Sequence, residues 1–362
     1  MQGRPNVPSC RTATRVQTWA TPEWALATAA VGFVTFALFA GAVAPQLRPR
    51  RSKGKKATKA EERFVLPRPP PRPEPRPAAE GPCFEVKARP GKGLGAVATR
   101  DIQEGELILS EVPLIKYSPC QEDAFAWVED INSQFSSLPK NKQEAALELA
   151  DSFRKPGQPR SIIGVLRTNS FMRGMGSSDG ALCETAARFN HSCSPNCEHS
   201  WDEDEGVIQI YASTNIPKGE ELMIFYVDPR GNKVQRGIQF HNFGFACCCP
   251  ICQKDDAEGD ANRRRMQELV RTTAEVGKED PKRAREMVIE ALYLYEKEGI
   301  HTNTFRKGAC HFASVVSNRL GDKAAALDWA TRAAAYSSLC HGPEHRETKQ
   351  LREFATGLAA GK

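Results

Sequence analysis

The sequence predicts an α+β protein: a body of short strands, interrupted by a helical insertion, followed by an all-helical carboxyl-terminal part. Three observations predict it. Short apolar runs recur in Ala96-Val97-Ala98, Leu107-Ile108-Leu109, Val207-Ile208-Gln209-Ile210-Tyr211 and Glu221-Leu222-Met223-Ile224-Phe225, with Gly105 and Pro217-Lys218-Gly219 at turns. Between residues 120 and 153 the period changes. Phe125, Val128, Ile131 and Phe135, then Ala145, Leu149 and Phe153, fall at helical spacing. From Asn262 the helical period persists: Met287, Ala291, Leu294 and Tyr295 form one stripe, and Ala324, Leu327, Ala330, Thr331, Ala334 and Tyr336 to Leu339 another. Gly299, Gly321 and Gly342 break these helices.

The chain of 362 residues accommodates two compact units and a tail. Residues 1–82 hold 14 Lys and Arg against 5 Asp and Glu, whereas the remainder holds 36 against 39, so the basic surplus belongs to the tail. A folded body without a basic excess argues against direct nucleic-acid binding, which draws on a positive face. The acidic run Asp202-Glu203-Asp204-Glu205 reads as a solvated hairpin tip.

Within the tail, residues 1–23 precede an uncharged run of 21 from Trp24 to Ala44, about the ~20 residues a helix needs to cross a bilayer. Seven Lys or Arg between Arg48 and Lys59 would hold the following body on the cytoplasmic side. The expectation is a membrane anchor. A mitochondrial presequence is the alternative, since the first 22 residues carry Arg, Ser and Thr but no acid; a cleaved secretory signal ranks last. Removal of residues 1–47 would leave a nuclear or cytoplasmic protein. Residues 45–82 turn basic and then proline-rich (Pro67-Arg68-Pro69-Pro70-Pro71-Arg72-Pro73) and read as a disordered, extended linker.

The chemistry sits in three blocks. The first is Asn190-His191-Ser192-Cys193-Ser194-Pro195-Asn196, the second Gly219-Glu220-Glu221-Leu222 with Tyr226, and the third the knot Cys247, Cys249 and Cys252. A Cys-x-Cys-x-x-Cys cluster offers three soft thiolates on one turn, too few for a closed tetrahedral zinc, so a fourth ligand must come from elsewhere. Cys193 is the best candidate, and Cys248 should point away from the metal. Ordinary buried thiols are the plainer alternative, but four cysteines within six residues is a high local density. Twelve cysteines clustered in this way fit reduced thiols better than a secreted disulfide framework.

Together with Gly91-Lys92-Gly93-Leu94-Gly95 and the strand-like Ala96 to Pro113, these blocks resemble a SET-domain protein-lysine methyltransferase, most closely the fungal and SET-and-MYND branch. The resemblance is nearly continuous from Cys83 to Cys252. It implies a SET β-fold with pseudoknot over 83–228, carrying a helical insertion at 119–168. It further implies a zinc-binding post-SET segment at 229–255 and a tetratricopeptide-like helical domain at 262–360 that could recruit partner proteins. The MYND finger is not expected, because the interval from Val112 to Ser161 contains only Cys120.

For function, the resemblance implies methyl transfer from S-adenosyl-L-methionine to a lysine of a protein substrate. Lys92, Gly93, Leu94 and Gly95 would let the backbone approach the donor, glycine having no Cβ in the way. Asn169, Asn190 and His191 would contact it, and Phe245 would stack over its adenine. Tyr226 would be the catalytic tyrosine, also touching the donor. Cys193, Cys247, Cys249 and Cys252 would hold zinc. Ile224 stands where the family carries Phe or Tyr to limit methylation state, and Phe243 where a second channel tyrosine is common. The competing reading is an inactive SET-fold scaffold that recruits partners through its helical domain.

Overall fold

The structure, a computed structural model, describes residues 82–119, 123–174 and 176–361, together with Leu66, Arg68 and Pro69. The expected amino-terminal tail, the apolar run 24–44, most of the linker and Cys120 lie outside the described residues.

Among those described, β1 (Phe84–Arg89) and β2 (Gly93–Ala98) pair antiparallel across a turn in which Gly91 and Gly93 adopt φ of 72° and 75°. Only glycine takes such left-handed angles without strain, which explains two glycines within three residues. A second sheet orders β3 (Leu107–Glu111), β9 (Val207–Ala212) and β8 (Cys197–Asp202), all antiparallel. A third orders β4 (Ile115–Tyr117), β6 (Gly180–Leu182) and β5 (Phe171–Met172). The last pair, β7 (Asn190–His191) with β10 (Met223–Ile224), is parallel. Of the strand-like run Glu221–Phe225 only the middle pairs in this way, while Glu221 bridges to Val97 of β2.

The insertion between β4 and β5 contains α1 (Ala124–Ser137), α2 (Lys140–Leu147) and α3 (Ile162–Asn169). Asp123 and Ser161 cap α1 and α3 by accepting the amides of Ala126 and Gly164. Ile131, Leu149, Val165 and Leu166 form its small core with Ile115 and Leu182. Phe125, expected on the inner face, is instead 85% exposed, because only part of the α1 stripe meets the sheet.

After α4 (Lys233–Phe240) and the short α5 (Pro250–Gln253) come α6 (Ala257–Glu279), α7 (Pro281–Lys297), α8 (Asn303–Arg319), α9 (Lys323–His341) and α10 (Arg346–Ala359). Each packs on the next from α6 to α10, and α9 also packs on β8 and β9. Gly299, Gly321 and Gly342, all at positive φ, follow the ends of α7, α8 and α9 as the sequence suggests. In α9 the expected Ala330, Ala334 and Tyr336 to Leu339 are buried, whereas Ala324 and Thr331 are exposed and Ala326, Trp329 and Ala333 are buried in addition. From the proline-rich stretch, Leu66 packs against this helical core and Arg68 pairs with Asp328 at 2.8 Å.

One expectation is corrected here. No helix among the described residues is long and apolar enough to cross a membrane, so the anchored placement of the protein loses its support. It rested on the hydropathy of residues 24–44 and on the basic residues that follow them, which lie outside the described residues.

Candidate functional site

The site forms where three stretches distant in sequence cross. The parallel β7–β10 pair sets Asn190 against Met223 and His191 against Ile224, and the Ser192 amide donates to the Ile224 carbonyl at 3.0 Å. Just upstream of β10, the Leu222 amide donates to the Ala96 carbonyl at 2.9 Å, which lays residues 220–222 along β2. Side chains from all three stretches therefore share a few ångströms of space.

At the first focus stands Glu221, only 6% exposed. It accepts from the Asn190 amide at 2.8 Å and from the Lys92 ammonium at 3.0 Å, with the Arg89 guanidinium 3.4 Å away. Asn190 also donates to the Leu94 carbonyl at 3.1 Å. Burial raises the Glu221 carboxyl, but the hydrogen bonds from Asn190 and Lys92 outweigh it and hold the group below its ordinary value. A Cβ on Gly95 would lie 2.7 Å from Arg89, Asn190 and Glu221 alike, so this cluster closes only over a glycine.

At the second focus, the Tyr226 hydroxyl donates to the Phe189 carbonyl at 2.7 Å and its amide to Nδ1 of His191 at 2.9 Å. Burial, then the Glu221 charge, pushes the phenol well above its ordinary value, so it stays protonated. Nε2 of His191 lies 3.4 Å from the Cys193 sulfur, which leaves both ring nitrogens engaged. Burial pushes the imidazole down to about 3, so it is neutral. Phe243 stands 5.3 Å from the Tyr226 ring, Phe240 4.7 Å from His191 and 5.2 Å from Phe245, and Phe245 6.4 Å from both His191 and Tyr226.

The third focus is the cysteine group. The sulfurs of Cys193, Cys247, Cys249 and Cys252 all lie within 4.8 Å of one another, and Cys193 and Cys252 are 3.4 Å apart. Four thiolates on a tetrahedral zinc, with bonds of about 2.3 Å, would sit about 3.8 Å apart, so this donor set fits that ion. Cys249 ends the loop into α5, and the Cys252 amide returns to its carbonyl at 2.9 Å, which points both sulfurs the same way. Hydrogen bonding with Cys193 and then Cys247 holds the Cys252 thiol down to about 6. A second group, His341, His345 and Glu347, is also close enough for a metal. The Lys307 ammonium already fills it, 2.7 Å from Glu347 and 3.0 Å from His341.

Of the residues read from sequence, Lys92, Leu94, Gly95 and Asn190 meet at the first focus, and His191, Tyr226 and Phe245 at the second. Gly93 forms the turn beside them. Asn169 is tied into the insertion instead, its amide donating to the carbonyls of Ala150 and Val165 at 2.7 and 2.6 Å. Glu221 belongs to the second motif block but was given no role of its own, and Arg89, Phe240 and Arg236 were not singled out. The acidic pair Glu220-Glu221 beside a glycine turn was a usable signal for the first, and nothing in the pattern marked the others.

Residues 93–227 match the family model described as SET domain. The chain carries a SET domain. That match bears out the resemblance read from the motif blocks; it encloses Leu94, Gly95, Asn190, Glu221, His191, Tyr226 and Cys193, while Arg89, Lys92, Phe240, Phe243 and Phe245 lie outside it. The chain is 26% identical over 220 residues to histone-lysine N-methyltransferase set5 of Schizosaccharomyces pombe, covering 59% of this chain and 66% of that protein. It is 38% identical over 78 residues to SET domain and MYND-type zinc finger protein 6 of the same organism, covering 21% of this chain and 15% of that one. It is 36% identical over 80 residues to protein-lysine N-trimethyltransferase SMYD5 of Mus musculus, with 19% of each covered. The match thus spans just under two thirds of the first relative and less than a fifth of the other two.

Proposed function

We propose that this SET domain transfers a methyl group from S-adenosylmethionine to a lysine side chain of a protein substrate. The observation that carries the reading is the meeting of a glycine-lined backbone (Gly93–Gly95), Asn190 and a fixed, protonated Tyr226 hydroxyl within one crossing of the chain. Lys92, Leu94, Gly95, Asn190, His191 and Phe245 would hold the donor, which supplies an electrophilic methyl on a sulfonium. The family names of the relatives, which include histone-lysine methyltransferases, favour a lysine on a protein as acceptor.

The protein's own residues would act mainly by positioning. With both nitrogens engaged, His191 has no free lone pair for a proton and serves to fix the Tyr226 main chain. Tyr226 is a hydrogen-bonded dipole rather than a base, since its proton is held against the Phe189 carbonyl. A free lysine has a pKa of about 10.4, so the acceptor must lose its proton on entering the site. The apolar walls of Phe243 and Phe245 would favour the neutral amine by desolvation. The scaffold alternative leaned on Phe243, yet the Tyr226–Phe189 bond is complete without a second hydroxyl.

Cys193, Cys247, Cys249 and Cys252 would hold zinc, and the ion would order Phe245 two residues before Cys247. In α6–α10 we read a tetratricopeptide-like stack that would shape the approach of the substrate protein. Calorimetry with S-adenosylmethionine, followed by transfer of labelled methyl to protein substrates, tests the reading. Failure to bind the donor would end it.

A further inference from the structure

We propose that Arg236 is the counter-charge of the four-cysteine centre, the residue that sets how tightly the sulfurs hold their ion. The inference rests on the reading of those cysteines as metal ligands and extends it to a residue outside the ligand set.

Helix α4 is built the wrong way round for an ordinary surface helix. The capping box of Asn232 and Gln235 fixes its start, and its two buried residues are Arg236 and Phe240, one turn apart. Val234 and Ile238 on the other side are 70% and 69% exposed. An arginine 1% exposed, on a helix that shows its aliphatic residues to water, needs a partner, because an unpaired buried charge is costly.

No carboxylate supplies one among the described residues. Arg236 borders a cavity of about 350 Å³ that holds four acids, and each is engaged elsewhere. Glu298 pairs with Arg263, Glu258 with Lys297, Asp256 caps the Gly259 amide, and Asp260 accepts the Lys233 amide. What Arg236 does reach is sulfur. Its Nη2 donates to the Cys252 sulfur at 3.6 Å, its Nη1 donates to the Gly231 carbonyl, and its Nε makes no hydrogen bond among the described residues.

Four thiolates around one divalent zinc carry a net charge of two negatives. In a buried site that surplus favours uptake of a proton by a sulfur, and a protonated sulfur lets go of the ion. A guanidinium hydrogen-bonded to one sulfur halves the surplus, and each charge answers the desolvation of the other. No atom is transferred; the effect is electrostatic and lies in metal affinity.

The test uses the full chain loaded with cobalt in place of zinc, which reports tetrathiolate binding through its charge-transfer absorption, titrated against a chelator. Arg236→Met should weaken binding about 10- to 100-fold, the range typical of an outer-shell partner of a metal ligand. Arg236→Lys should recover part of the loss. Arg285→Met, at another buried arginine, paired with Asp322 in the helical part, should leave cobalt affinity unchanged. Equal affinity for wild type and Arg236→Met, or no gain from Lys over Met, would overturn the inference while leaving the metal reading intact. Wild type that binds no cobalt would overturn both. Should Arg236→Met fail to fold by circular dichroism, Arg236→Gln against Arg236→Lys makes the same comparison of neutral with charged.

Discussion

The Tyr226 hydroxyl donates to the Phe189 main-chain carbonyl, closing a 2.7 Å bond across the crossing of the two motif strands. Because Phe189 immediately precedes Asn190 and His191, the same few residues that would cradle the donor also aim the tyrosine. Replacing the hydroxyl alone separates aim from packing. Tyr226→Phe keeps the contacts with Phe243 and His191 and should cost about 1 kcal/mol of stability, a typical hydrogen bond. Methyl transfer should fall about 100-fold, as expected when a reacting pair is misplaced. Single-turnover rates beside a melting curve check this, and an unchanged rate would remove Tyr226 from the reaction.

Gly95 supplies a second, independent prediction. An added methyl would meet Arg89, Asn190 and Glu221 at 2.7 Å, so Gly95→Ala must push that cluster apart. Overpacking of this kind costs roughly 1–3 kcal/mol, which expressed in affinity is about 5- to 150-fold. Calorimetry should show weaker donor binding with Phe245 and the cysteines untouched. Donor affinity equal to wild type would dissociate this cluster from the cofactor.

Legibility in the sequence divides along physical lines. The β9 run and the middle of α7 were readable because each is a dense apolar stretch that the fold buries on nearly every side, and the helix stops were readable because glycine is the residue that takes positive φ. The grouping of Cys247, Cys249 and Cys252 was readable because it is a local spacing, and Cys193 does join them in space. Partners across distant sequence were not: nothing near Glu221 announces Lys92, and nothing in α4 announces that Arg236 faces sulfur. Phe125 and Ala324 were misplaced because a stripe gives a helix its apolar face but not how much of that face a neighbour covers.

The junction between the SET domain and the carboxyl-terminal helices turns on one buried carboxylate. Thr302 makes no side-chain cap for α8; instead Glu198 of β8 accepts the amides of Asn303 and Thr304 at 2.9 and 3.0 Å, and the Thr304 hydroxyl at 2.9 Å. Glu198→Ala should leave both amides buried and unpaired, costing about 2–5 kcal/mol. Glu198→Gln, which keeps one accepting oxygen, should cost less. Denaturant midpoints of the three proteins give the order, and a mild Ala effect with a severe Gln effect would contradict the capping role.

Acid should expose a further dependence, at His199. Its ring lies 5.1 Å from Phe171 and 5.9 Å from Phe225, and its Nδ1 makes no hydrogen bond among the described residues. Burial lowers the imidazole from 6.5 to about 4. The folded protein therefore holds this residue neutral where the unfolded chain takes up a proton. Its contribution to stability is complete above about 6.5, declines as the pH falls, and is lost by about 4, up to about 3 kcal/mol in all. The Cys193 group also suffers in acid, so the comparison must be made between proteins rather than between pH values. His199→Leu should lose stability less steeply than wild type between pH 6.5 and 4.5 in urea titrations. Parallel slopes would mean that the folded state admits the proton, and that the aromatic pair around His199 is open to water.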